Sequence, residues 1–213
     1  MKEAVDLPVT VKCRIGVDEQ EPREALFALV HASVAAGADA MVVHARKAWL
    51  KGLSPKENRD IPPLDYPLVH ELKREFPTLP IAINGGVDTL DSAREQLAHV
   101  DGVMVGRAAY HNMSMLQEVD PQIFGAPAPY ESSRAATLAF LPYVERKMSE
   151  GVRLADMTRH MLGLFAGRPG ARAFRRHLAT YAVRPGADAR TVEEALTLVD
   201  WAPVAQRDNC LPA

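Results

Sequence analysis

Two stretches decide the fold: Ile81-Ala82-Ile83-Asn84-Gly85-Gly86-Val87 and, one helix later, Gly102-Val103-Met104-Val105-Gly106-Arg107. Each is a short apolar run that stops at glycine. That is the pattern of a buried parallel strand whose C-terminal end opens into a ligand site. Gly85 and Gly86 permit positive φ and a close backbone approach. The chain after Gly86 is expected to enter a helix with Asp88 or Thr89 as N-cap. Backbone N–H groups at such a turn are a ready phosphate cradle. Gly106-Arg107 repeats the turn one βα unit on and adds a fixed cation suited to a phosphate oxygen. Paired turns of this kind form the phosphate site after the last two strands of a (β/α)8 barrel. A single Gly-Gly is most often an ordinary tight turn; the pair at βα spacing raises the phosphate reading above that.

Upstream, residues 9–16 read as a β-branched strand that follows Pro8 and ends at Gly16. Lys12 sits in or near its C-terminal half. On propensity alone it is an exposed edge residue, but in a parallel barrel that position points into the site, where a lysine needs an anionic or electron-rich partner. Cys13 alternates to the other face and reads as core rather than nucleophile. A helix follows over 21–36, with Pro22 in its first turn, Ala25, Leu26, Leu29, Val30 and Val34 as its apolar face, and Gly37 as its C-terminal stop. The next buried strand, 40–46, places His44 at its C-terminal end, where barrel enzymes place chemistry. A structural histidine is the bland alternative. The long connection 47–63 carries Lys47, Lys51, Lys56 and Arg59 with Trp49, just after Arg46. Cations interleaved with an aromatic suit a phosphate backbone and a stacked base; a solvated loop is the competing view. Helices over 67–76 and 89–98 complete the pattern. Strand-helix-strand pieces recur four times at roughly 30-residue intervals, the arithmetic of βαβ units. Four strands are half of an eight-stranded barrel.

After Arg107 the pattern changes. A short helix over 108–118 leads to a Pro/Gly-rich linker over 120–130, and the rest reads as helices over 134–149, 154–164, 170–182 and 191–199. The expected fold class is therefore α/β: the C-terminal half of a TIM (β/α)8 barrel over residues 1–125, then a small all-helical domain over 126–213. Arg172, Arg175 and Arg176 share one helical face by their spacing. Such a face is usually just solvated; here it is dense enough to serve as the second jaw of an RNA clamp with the basic loop.

The bulk properties agree with a globular chain. Of 213 residues, 47% are hydrophobic and 24% charged, enough for a sizeable core in one or two domains. The net charge of -2 means any nucleic-acid affinity is local. Cys13 and Cys210 stand far apart, with no CxxC pair, so a structural zinc site is not expected and a reducing cytosol is. No apolar run approaches membrane-spanning length and no signal peptide precedes the first strand.

The motifs Val11-Lys12-Cys13-Arg14-Ile15-Gly16, His44-Ala45-Arg46-Lys47-Ala48-Trp49-Leu50, Leu53-Ser54-Pro55-Lys56-Glu57-Asn58-Arg59-Asp60-Ile61-Pro62-Pro63-Leu64, Asn84-Gly85-Gly86, Gly106-Arg107 and Arg168-Pro169-Gly170-Ala171-Arg172 resemble those of the tRNA-dihydrouridine synthases, subfamily A. The resemblance covers nearly the whole chain. It implies an FMN-dependent barrel with a helical domain that grips tRNA. The implied reaction reduces a uridine of the D-loop, at positions 20 and 20a, to 5,6-dihydrouridine with NADPH. By position, it implies that Lys12 and His44 contact the flavin and that Asn84, Gly85, Gly86, Gly106 and Arg107 hold its phosphate end. Lys56, Arg59, Arg172 and Arg175 are implied to touch tRNA. A cation beside the flavin's pyrimidine-like edge favours its reduced, anionic form.

The same resemblance implies a cytoplasmic enzyme, monomeric when full length and without a membrane or metal. It also implies strands before Lys12 that carry the general-acid cysteine. Cys13 belongs to the Lys-Cys-Arg motif and does not match that cysteine, so the chain is expected to be N-terminally truncated and inactive alone, with an unpaired edge over residues 9–14. Two rivals remain: another FMN-dependent barrel dehydrogenase acting on a small pyrimidine, and an RNA-binding remnant without catalysis. Basic residues of the loop and of the Arg172 face argue against a small substrate.

Overall fold

The computed structural model describes residues 1–202; Cys210 lies outside them. Two compact units divide the chain, Met1–Ala109 and Tyr110–Ala213.

The first unit is a parallel sheet of order β1-β2-β3-β4. Its strands are β1 (Thr10–Arg14), β2 (Ala40–His44), β3 (Ile81–Asn84) and β4 (Gly102–Met104). The crossovers carry α1 (Pro22–Ala35), α2 (Glu57–Asp60) with α3 (Tyr66–Glu75), and α4 (Leu90–Leu97). α5 (Arg107–His111) follows β4. Register runs straight across, Arg14 beside His44 and His44 beside Asn84, with Asn84 beside Met104.

Alternation then sorts the side chains into two faces. Met41, Val43, Ile81 and Ile83 point to one face and are wholly buried there, in a cluster with Leu26 and Val30 of α1 and Val69 and Leu72 of α3. Each such side chain contributes about 1.5–3 kcal/mol by burial. The residues between them, Lys12, Arg14, Val42, His44, Ala82, Asn84, Gly102 and Met104, make up the other face, and Lys12 and Met104 are exposed. Parallel sheets ordinarily bury both faces. Here the helix-covered face is the core and the opposite face carries the polar groups.

β1 lies at the sheet edge and pairs only with β2 among the described residues. The start of β3 is fixed by Asp101, which accepts from Ile81 N–H at 2.8 Å and pairs with Lys73 at 2.7 Å. Thr89 caps α4 in a reciprocal box with Ser92, which settles the choice between Asp88 and Thr89. Gly37 adopts φ +81 just past α1, as expected of a helix stop.

Several expectations need correction. The buried face of α1 is Leu26, Phe27, Val30 and Ser33, while Leu29 and Val34 are exposed. The helix is rotated so that Phe27 reaches Phe76, ring centroids 6.5 Å apart. Before β1, Lys2–Ala4 forms a 3-10 turn, and Lys2 pairs with Asp39 at 2.8 Å. Residues 154–164 are not one helix. α7 (Leu154–Thr158) gives way to tight turns whose N–H groups bond three residues back, such as Met161 to Thr158 and Leu164 to Met161. Residues 108–118 divide into α5 and a 3-10 segment, Met113–Glu118.

The division also falls earlier than residue 125. The 110–124 stretch packs with the C-terminal helical residues: Tyr110 Oη meets His160 Nδ1 at 3.1 Å, and Gln117 Nε2 donates to Tyr130 O at 2.9 Å. Within this second unit, a π-helical turn at Asp120–Phe124 precedes the α-helices α6 (Ser133–Ser149), α7, α8 (Ala171–Tyr181) and α9 (Arg190–Thr197), and no strand occurs among its described residues. Phe174, Leu178, Val192 and Leu196 centre its core. No helix among the described residues is long and apolar enough to cross a membrane.

Candidate active site at the strand ends

The C-terminal ends of the four strands bring the sequence-selected residues Lys12, His44 and Asn84 together. Lys12 reaches across β2, and its Nζ donates to Asn84 Oδ1 at 3.1 Å. Asn84 in turn donates through Nδ2 to Met104 O at 2.7 Å, which orients its amide. His44 lies between Arg14 and Asn84 in the row, two residues beyond the Lys12 partner Val42, and is buried. Its pKa is pushed down to about 4, first by burial and then by Arg14, Lys12, Arg46 and Arg107. Every charge named there is positive, so the imidazole is neutral and stands in a cationic site.

Gly85 and Gly86 have φ +107 and +71, as the turn reading requires. Their freedom from Cβ also serves neighbours inside the chain. A Cβ on Gly85 would come to 2.6 Å of His44 Nε2, and one on Gly86 to 2.8 Å of the Tyr66 hydroxyl. Tyr66 donates to Gly85 O at 2.7 Å and holds the turn. Gly106 differs: its φ is ordinary and nothing lies within 4 Å of where a Cβ would be. Among the described residues, no neighbour calls for glycine there. Beside it, Arg107 is about half exposed and pairs with Asp60 at 2.8 Å. That pairing holds the Asp60 carboxyl below its usual range.

Two arginines complete the site: Arg14, which the sequence reading did not single out, and Arg46, which it read as a cation of the basic loop. Arg14 Nη1 donates to Lys47 O and Asn58 O, each at 2.8 Å. Burial, then Arg46 and Arg59, lower its pKa. Arg46 donates to Pro62 O and to Asp60 O, while its Nε is buried with no hydrogen-bond partner among the described residues. For Arg14 the signal was available in period two, two residues past Lys12 on β1; Arg46 lies past the end of β2, where the chain turns. Asn58 ties the long loop down. Its Oδ1 accepts from Trp49 N–H at 2.7 Å, and its Nδ2 donates to Trp49 O at 2.6 Å. Asp18 anchors the same loop by accepting from Leu50 N–H at 2.7 Å. The connection is thus a held shelf over the strand ends, with Lys56 and Arg59 exposed on it.

Cys13 packs against the core on the helix-covered face, away from this site. Burial pushes its thiol up to about 11, against the opposing effect of Lys12. In the second unit, Arg172, Arg175 and Arg176 are exposed on α8 and carry no ion pair among the described residues.

A parallel βα sheet whose strand ends gather cations, a neutral histidine and a glycine turn is an α/β domain with a cationic face at its strand ends. The family follows from comparison: the chain belongs to the dihydrouridine synthase family, whose model, described as "Dihydrouridine synthase (Dus)", matches residues 1–199. Curated relatives named tRNA-dihydrouridine(20/20a) synthase include one from Vibrio cholerae, 52% identical over 94% of this chain and 62% of its own length. Those of Salmonella typhi and Yersinia pestis are 52% and 53% identical over 93% of this chain, and 60% and 58% of their own lengths. The chain thus spans about three fifths of the relatives it matches. A solved RcsB response regulator of Salmonella typhimurium covers 89% of this chain and 98% of its own at 14% identity and a TM-score of 0.29, too slight a likeness to bear on fold or function.

Proposed function

We propose that this chain carries the phosphate-end flavin site and the tRNA-gripping surface of a tRNA-dihydrouridine synthase that reduces uridine 20 and 20a of the D-loop with FMN and NADPH. On this reading the four strands are the C-terminal half of a (β/α)8 barrel, and the second unit is the helical tRNA-binding domain. The observation that carries the reading is the single sheet face that Lys12, His44 and Asn84 share, with Arg107 near enough to act on the His44 charge.

The residues fit FMN by their chemistry. The open space over Gly106 and the adjacent guanidinium suit a terminal phosphate, and the unpartnered Arg46 Nε supplies a further buried donor. Lys12 and neutral His44 suit the polar edge of the ring system. FMN, when bound, supplies the hydride for the uracil C5–C6 bond. Lys12 stabilises negative charge on that ring edge, and Asn84 holds the ammonium in position. His44 presents a ring N–H as a donor without adding charge. Arg107 releases Asp60 when it takes up a phosphate.

The proton for the uracil comes from none of these groups. Cys13 is ill suited, being turned into the core with its thiol near 11. The chain alone is accordingly expected to hold flavin without completing reduction. Lys56 and Arg59 on the shelf, with Arg172 and Arg175 on α8, meet tRNA phosphates.

Bound yellow flavin on purification, together with salt-sensitive tRNA affinity lost in Arg172→Ala/Arg175→Ala, tests the reading. Colourless protein that takes up no FMN and still binds tRNA would replace it with an RNA-binding remnant. Formation of dihydrouridine by purified 1–213 with NADPH would overturn the statement that the proton donor is not among these residues.

A further inference from the structure

The second unit contains a cavity of about 390 Å³ that the flavin and phosphate contacts leave unused. Met113, Met161 and Leu164 give it an apolar floor, and Tyr130, Phe140 and Gln117 complete its walls. We propose that this cavity accepts one unpaired nucleobase of a bound RNA. The proposal rests on the reading of RNA as partner and adds to it a base contact that phosphate-binding arginines do not make.

Three features select a nucleobase. The first is a ready stacking column. Phe140 lies against Tyr143 with ring centroids 5.1 Å apart and 23° between planes, and the same Phe140 ring forms cavity wall. Arg146 stands 5.2 Å from the Tyr143 ring centroid, so the column ends in a cation. A planar base entering beside Phe140 extends that column. The second is the Gln117 amide. Its Nε2 donates to Tyr130 O at 2.9 Å, and its Oε1 accepts from Ser133 Oγ at 3.1 Å. Those two bonds hold the amide, which has the capacity for one further donated and one further accepted bond. A base edge offers both an acceptor and a donor for that capacity, and an aliphatic side chain offers neither. The third is size, since the volume is that of a small-molecule pocket and suits one base rather than a helix.

The test uses the full chain and two RNA probes, hexauridylate and the same hexamer with every base removed. Fluorescence anisotropy is expected to give base-containing RNA about tenfold tighter binding than abasic RNA. Phe140→Leu and Gln117→Leu, each checked for an unchanged thermal unfolding profile, are expected to remove that difference and leave abasic binding alone. Measurable binding with equal affinities for the two probes, or a difference that survives both substitutions, would overturn the proposal. Salt-sensitive binding that is lost in Arg172→Ala/Arg175→Ala but indifferent to bases would sink the pocket and leave the tRNA reading standing. The converse outcome is read by the Met113 and Met161 methyl resonances. Their shift with uridylate, and not with N-acetyl-leucinamide, supports the pocket even if hexamer binding is absent and the tRNA reading has failed. Equal shifts with both ligands, or none with either, would overturn it.

Discussion

Gly85 and His44 share one space: a Cβ on the glycine would come to 2.6 Å of the imidazole Nε2 on the neighbouring strand. With φ +107 the glycine is also in backbone territory that other residues rarely adopt. Gly85→Ala is therefore expected to lower stability by about 2–4 kcal/mol, combining left-handed strain with overpacking. Urea unfolding measures this, and a change below about 0.5 kcal/mol would contradict the close packing.

Gly106 gives the opposite expectation. Its φ is ordinary and the space over it is open. Gly106→Ala should leave stability within about 0.5 kcal/mol of the parent while weakening FMN uptake. Equilibrium dialysis with FMN, run beside urea unfolding, checks both halves.

His44 sets a pH dependence whose sign follows from its lowered pKa. The unfolded chain takes up the proton near 6.5, the folded chain only near 4. Between those values the unfolded state holds more protons, so stability falls as pH drops through that window. Above about 6.5 the His44 contribution is level. His44→Gln should flatten the slope between pH 6.5 and 4 in urea unfolding measured across pH; an unchanged slope would show that the imidazole is not the group responsible.

Cys13 is expected to be inert in the folded protein. With its thiol near 11, only about a thousandth is thiolate at pH 8. In a Cys210→Ser background, iodoacetamide should label Cys13 in urea and scarcely at all without it, as mass spectrometry would show. Rapid native labelling would place the thiol outside the core.

Arg172→Ala/Arg175→Ala should weaken tRNA binding by about ten- to a hundredfold at low salt and reduce the salt slope by about one for each arginine. The same substitutions leave the α8 core residues Phe174 and Leu178 untouched. Filter binding across a salt series reads both quantities.

Much of this arrangement was legible because parallel strands announce themselves twice, by apolar runs and by the glycines that end them. The runs ending at Gly85 and Gly106 located the site, and period-two alternation put Lys12 and Cys13 on opposite faces. Arg14 escaped selection because a cation among others reads as solvated until register sets it beside His44, and Arg46, read as a loop cation, turns its guanidinium back to the Asp60 and Pro62 carbonyls. The rotation of α1 was not legible, since Leu26 and Leu29 are equally apolar and only the position of Phe76 decides between them. Nor was the end of α7 at Thr158: residues past it keep a helical spacing while bonding three residues back.

The flavin-phosphate site is tested most directly by comparing FMN with riboflavin, which lacks the phosphate. Fluorescence titration of the purified chain is expected to show FMN bound about tenfold or more tightly, and Arg107→Ala is expected to abolish that preference. Equal affinities in the parent chain, or a preference untouched by Arg107→Ala, would contradict the assignment of the Gly106-Arg107 turn to a flavin phosphate.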